Sequence, residues 1–70
     1  MIDYGPLWAT MQNRNISQYQ LLKCGIDNHT LDSLKKNRNI TMLTLEKLCR
    51  ILDCELEDVA AYHPDTEVKP

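Results

Sequence analysis

Phenylalanine is absent from this 70-residue chain, and tryptophan occurs once, at Trp8. A core must therefore be assembled from aliphatic side chains, among which leucine dominates. Glycine is confined to Gly5 and Gly25, which excludes a glycine-rich loop of the kind that cradles phosphates. No apolar run approaches the ~20 residues that a membrane-spanning helix needs. The opening MIDYGPLW lacks the basic and apolar regions of a secretory signal. Cysteine occurs three times, at Cys24, Cys49 and Cys54, without a CxxC pair. An odd count with no signal segment implies free, buried thiols in a reducing compartment. His29 and His63 stand far from those cysteines in sequence, and no spacing matches a zinc site. The expectation is a soluble, cytoplasmic protein with no metal and no cofactor.

Seventy residues make at most one domain. A chain this short buries only about 60% of the surface its unfolded form exposes, so its core is marginal. The net charge of −2 stands against nucleic-acid binding, because such domains are commonly basic. The distribution tells more than the sum. Positions 14–38 carry Arg14, Lys23, Lys35, Lys36 and Arg38 against Asp27 and Asp32, a local +3. Positions 46–70 carry three cations against seven acids, a local −4. The positive stretch attracts phosphate, and the acidic stretch is expected to face away from it. Ordinary solvated faces account for the same charges equally well.

Neither a repeat nor a low-complexity segment interrupts the chain, and helix punctuation predicts five helices. Pro6 suits the first turn of the first, on which Leu7, Trp8 and Met11 share a face. Ser17 is a good N-cap for the second, which carries Leu21 and Leu22. Gly25 ends it, because glycine tolerates the left-handed backbone at a helix C-terminus. Asp27 caps the third helix, and Ile26 before the cap packs on Leu31 as a hydrophobic staple. Leu31 and Leu34 face inward, and Lys35 and Lys36 in the last turn complement the helix dipole. Thr41 caps the fourth, where Leu45, Leu48, Cys49 and Leu52 fall at i, i+3, i+4 and i+7. Asp53 and Cys54 break it. A short fifth helix from about Glu55 to Ala61 offers Leu56, Val59 and Ala60 for burial. The predicted fold class is all-α, a compact five-helix domain over residues 1–62, with 63–70 a flexible tail.

The stretch ISQYQLLKCGIDNHTLDSLKK, residues 16–36, has the design of a helix-turn-helix. Such a unit needs apolar inward positions to fix the angle between two helices, a glycine in the turn, and base-reading side chains on the second helix's first turn. Leu21, Leu31 and Leu34 meet the first need and Gly25 the second. Asn28, His29 and Thr30 meet the third, with Ser33 one turn later on the same face. The Asn28 amide matches the N7 and N6 groups of adenine. His29 suits a guanine acceptor, and Thr30 a thymine methyl or a phosphate. Asn28 and Thr30 also serve helix starts that bind nothing. Asp32 would repel phosphate and is expected to pair sideways with Lys36 at i+4. Ser17 and Gln18, at the start of the second helix, and Lys35, Lys36 and Arg38, after the third, are candidate phosphate contacts.

The segment ISQYQLL, the turn CGID and the helix HTLDSLKKN resemble the Cro/C1-type helix-turn-helix family, also called xenobiotic-response-element-like regulators. The following NRNITMLTLEKLCRILDCELEDV is similar to that family's fourth and fifth helices. The closest likeness is to a branch of very short, single-domain bacterial and phage regulators, for which TLEKLCRILDC is a strong marker. The resemblance covers roughly residues 5–62. It implies a lambda-repressor-like fold, with phosphate binding on Gln18, base reading on Asn28, His29 and Ser33, and backbone contacts from Asn37 and Arg38. Counted from Gln18 to Leu31, the unit is one residue shorter than is usual in the family.

The expected function is a sequence-specific regulator of transcription that binds double-stranded DNA, as a homodimer on a pseudo-palindromic operator. Candidate dimer contacts are the fifth helix and Tyr62, with Ile2 and Tyr4 beside them. The alternative is a protein-interaction module of the same fold, an antitoxin or antirepressor with weak DNA binding, which the acidic C-terminal part and Asp32 favour. No nucleophile, base and orienting group stand together at a useful spacing, so an enzyme is not expected.

Overall fold

In chain order, the computed structural model, which describes residues 1–64, runs β1 (Ile2–Asp3), α1 (Gly5–Asn13), α2 (Gln18–Lys23), α3 (Asn28–Lys35), α4 (Met42–Leu52), a 3-10 turn (Leu56–Asp58) and β2 (Ala61–Tyr62). Each α-helix begins where local chemistry allows it. Pro6 occupies the first turn of α1. Ser17 Oγ accepts the Gln20 N–H while Gln20 Oε1 accepts the Ser17 N–H, so two orphan donors of α2 are satisfied reciprocally. Asp27 accepts the Thr30 N–H at 2.7 Å, and Thr41 accepts the Thr44 N–H at 3.1 Å. Three helices end with help from left-handed residues. Asn15, Asn37 and Asp53 follow α1, α3 and α4 with φ of 58°, 54° and 53°.

The core is aliphatic, as the missing phenylalanine requires. Leu7, Leu21, Leu34, Leu48, Leu52 and Val59 are fully buried, joined by Tyr4, Met11, Ile26 and Leu31. Along α4 the innermost positions are Leu48 and Leu52, while Leu45 and Cys49 pack from its flank.

The C-terminal third departs from the all-α, five-helix expectation. Among the described residues there are four α-helices, one 3-10 turn and a two-stranded ribbon. Residues 55–61 do not form a fifth α-helix. The Glu55 N–H donates to Asp58 Oδ2 at 3.1 Å, and the Val59 N–H closes back on the Leu56 carbonyl, so the helix stops after one turn. Val59 then enters the core, and Ala61 and Tyr62 pair antiparallel with Asp3 and Ile2. The pairing extends to His63, whose N–H donates to the Met1 carbonyl at 2.9 Å and whose own carbonyl accepts the Met1 ammonium at 2.6 Å. His63 thus continues the backbone pairing begun by the two strands. The rest of the expected tail, residues 65–70, lies outside the described residues.

Candidate nucleic-acid interface

The turn between α2 and α3 is built around Gly25, at φ +105°, a backbone that L side chains rarely adopt. The Lys47 ammonium, reaching over from α4, donates to the Gly25 carbonyl at 3.1 Å. That places a cation where the dipole of α2 ends. A Cβ on residue 25 would lie 2.7 Å from Lys47 Nζ, the far end of a flexible side chain that can move aside, so glycine is needed here for φ. The sequence singled out Gly25 but not Lys47, because the two are 22 positions apart and neither implies the other.

Asp27 stands at the start of α3. The Thr30 N–H and then the Thr30 hydroxyl hold its carboxyl below the ordinary value of 3.8, and His29 and Lys47 lower it further. One orphan N–H of α3, that of Thr30, is therefore served from within the protein. What this end of α3 presents to a partner is side chains. Asn28 and His29 are exposed on it, while Leu31 and Leu34 are buried beneath. Thr30 is half-buried and shares its hydroxyl with Asp27. Ser33 follows on the same face, as its spacing suggested, but it is buried. It is only 7% exposed, covered where α3 meets the start of α4. His29, Thr30, Ser33, Asn39, Thr41 and Thr44 line one cleft of about 300 Å³ between the outer face of α3 and the first turn of α4. Asn39 and Thr41 belong to this surface although the sequence marked them only as a loop and a cap.

Ser17 and Gln18 are exposed at the start of α2, with the Ser17 oxygen already accepting within its capping box. On the other side of α3, Lys35, Lys36, Asn37 and Arg38 are exposed. Lys36 pairs with Asp32 at 3.2 Å, the i, i+4 arrangement expected for that aspartate. Asn37 has a structural task. Its Oδ1 accepts the Tyr4 N–H at 3.0 Å, and the Tyr4 hydroxyl donates to the Arg38 carbonyl at 2.7 Å. The N-terminal segment therefore clasps the loop that follows α3. Tyr4 itself is buried, so of the aromatic residues offered for subunit contact only Tyr62 is free on the surface.

Three of the acids lie at the far end of α4 from the cleft. The cleft beside α3 opens at the first turn of α4, whereas Glu55, Glu57 and Asp58 follow its last turn, about 15 Å away along an 11-residue helix. The acidic turn is docked onto α1, where the Thr10 hydroxyl donates to the Asp58 carbonyl at 2.7 Å. Among the described residues no three metal-ligating side chains gather, and no helix is long and apolar enough to cross a membrane.

No curated protein matches the chain. The crystal structure of the transcriptional regulator VanUg, form II, is similar to it with a TM-score of 0.83 at 26% identity, covering 91% of this chain and 87% of that one. Residues 6–65 match the model of the Cro/C1-type HTH DNA-binding domain, and the chain belongs to that family.

Proposed function

We propose that this protein is a sequence-specific regulator of transcription that inserts the N-terminal end of α3 into the major groove of double-stranded DNA. The observation that carries the reading is the pairing of exposed Asn28 and His29 with buried Leu31 and Leu34 on one rigidly capped helix. Asn28 and His29 are the proposed base readers, with Thr30 at the edge of the contact. Ser33 is left out of that set on account of its burial. Ser17, Gln18, Lys35, Lys36, Asn37 and Arg38 are the proposed phosphate contacts, which set the register of the helix without reading sequence.

The same reading includes a homodimer, since two-fold copies spaced by one turn of duplex, about 34 Å, recognise a pseudo-palindromic operator. Its support is the exposed apolar side chains outside α3, among them Ile2, Tyr62 and Leu56.

The test is selection of preferred duplexes from a random pool at two salt concentrations. The expected result is an enriched, pseudo-palindromic sequence whose affinity falls steeply as salt rises. A pool that stays random, with capture of a protein partner that salt does not weaken, would favour the interaction-module reading instead.

A further inference from the structure

α4 closes with a cap that does more than stop a helix. Asp53 takes the left-handed conformation, and the Cys54 N–H donates to the Cys49 carbonyl at 3.0 Å. That six-to-one bond is the signature of a Schellman cap, which sets the side chain on the residue after the left-handed one against the side chain three from the helix end. Here both side chains are cysteine. Any apolar pair would satisfy the packing, so a thiol at both positions is more than the cap requires. The two thiols are near neighbours, each acting on the other's ionisation. A direct backbone bond also holds their Cα atoms within about the 7 Å that a disulfide tolerates.

We propose that Cys49 and Cys54 form a dithiol modification site that reacts with a low-molecular-weight disulfide, giving an intramolecular bond that locks the C-terminal cap of α4. Both residues are half-buried in the wall of an open apolar cleft of about 480 Å³, alongside Leu43, Leu45 and Leu56. A small reagent has access there. Burial first, and the nearby Asp58 as well, hold both thiols above their ordinary range. Neither is a standing thiolate, so the pair is distinguished by juxtaposition rather than by unusual reactivity. Cys24, the third cysteine, is exposed at the end of α2.

The exchange runs in two balanced steps. One thiol loses its proton and its sulfur attacks the reagent; the reagent's S–S bond breaks, a mixed disulfide forms, and one small thiolate leaves. The neighbouring thiol, deprotonated in turn, attacks the protein sulfur of the mixed disulfide and expels the second small thiolate. The dithiol is oxidised by two electrons and the reagent reduced by two, and the two protons end on the two released thiols.

The experiment treats the full chain with oxidised glutathione, blocks free thiols with N-ethylmaleimide and measures the intact mass and the linked peptides. The reduced protein takes three maleimides. The expected product carries a Cys49–Cys54 link with the loss of two hydrogens, and the exposed Cys24 ends with one glutathione or, where unreacted, one maleimide. Cys24→Ser should give the same link and take none. Cys54→Ala should stop at a mixed disulfide on Cys49 that no second thiol resolves, beside any on Cys24. The linked protein should melt at least about 5 °C above the reduced one. Glutathione adducts that persist on both Cys49 and Cys54, or three maleimides after prolonged oxidation, would overturn the proposal. Should Cys54→Ala fail to fold, the Cys24→Ser protein decides the matter by itself, since its only possible internal link is the one proposed.

Discussion

α3 and α4 are capped alike, by a side-chain oxygen taking the N–H three residues on, and both bury leucines at helical spacing. Their outer faces are opposites. α3 offers Asn28, His29, Lys35 and Lys36, whereas the start of α4 offers Met42 and Leu43, about three-quarters exposed. One helix leaves polar donors and acceptors unpartnered at its tip, and the other leaves apolar surface. Overall composition averages these faces, which is why a net charge of −2 says so little about either. The helices also depend on each other. The α2–α3 turn is pinned by Lys47 from the middle of α4, so the geometry at the start of α3 is held by α4.

If α4 is the scaffold, the largest effect should come from its core. Leu48→Ala empties a fully buried position and is expected to destabilise the fold by about 2–5 kcal/mol, enough to prevent folding of so small a domain. Urea unfolding measures this, and an unchanged transition would mean that α4 is not central to the core. Next comes the joint between the two helices. Gly25→Ala is expected to destabilise by more than about 1 kcal/mol, chiefly because the φ there is unfavourable for alanine, and in small part because the Cβ displaces the Lys47 ammonium. Combining it with Lys47→Ala removes the clash but not the φ, so the double variant should regain only part of the loss. Full recovery would reduce the role of Gly25 to simple space.

Smaller effects concern α2 and α3 as binding elements. Gln18→Ala should weaken all duplexes by a similar factor and leave the salt dependence unchanged, because a neutral amide releases no counterion. A change confined to one sequence would make Gln18 a base reader. The smallest effect is electrostatic. The folded Asp27 carboxyl ionises below its ordinary value of 3.8, so its contribution is complete above that pH and is lost as pH falls through the lower folded value. Asp27→Asn keeps the cap but not the charge. Its melting temperature should therefore fall less than that of the parent between about pH 4 and pH 2.

The start of α3 was legible because its signals are local. The Asp27 cap, the Ile26 staple, the leucine spacing and the Asp32–Lys36 pair all lie within eleven positions. The clasp of Tyr4 on Asn37 and Arg38 was not legible, nor was Lys47 on Gly25, because those partners are 22 to 34 positions apart and carry no pattern. The β1–β2 ribbon escaped for the same reason, being only two residues long on each side. Ser33 shows how tertiary structure overrides a helix face. It follows His29 by one turn, yet it is covered at the junction with α4, in the cleft that Thr41 and Thr44 also line.

The central claim is that the tip of α3 reads bases. It is tested most directly by measuring the affinities of the parent and of Asn28→Ala for a selected duplex and for its single-base variants at one salt concentration. Asn28→Ala should lose about 1–3 kcal/mol of discrimination at one base position and keep its discrimination elsewhere. A variant that folds, binds and ranks every duplex as the parent does would contradict the account.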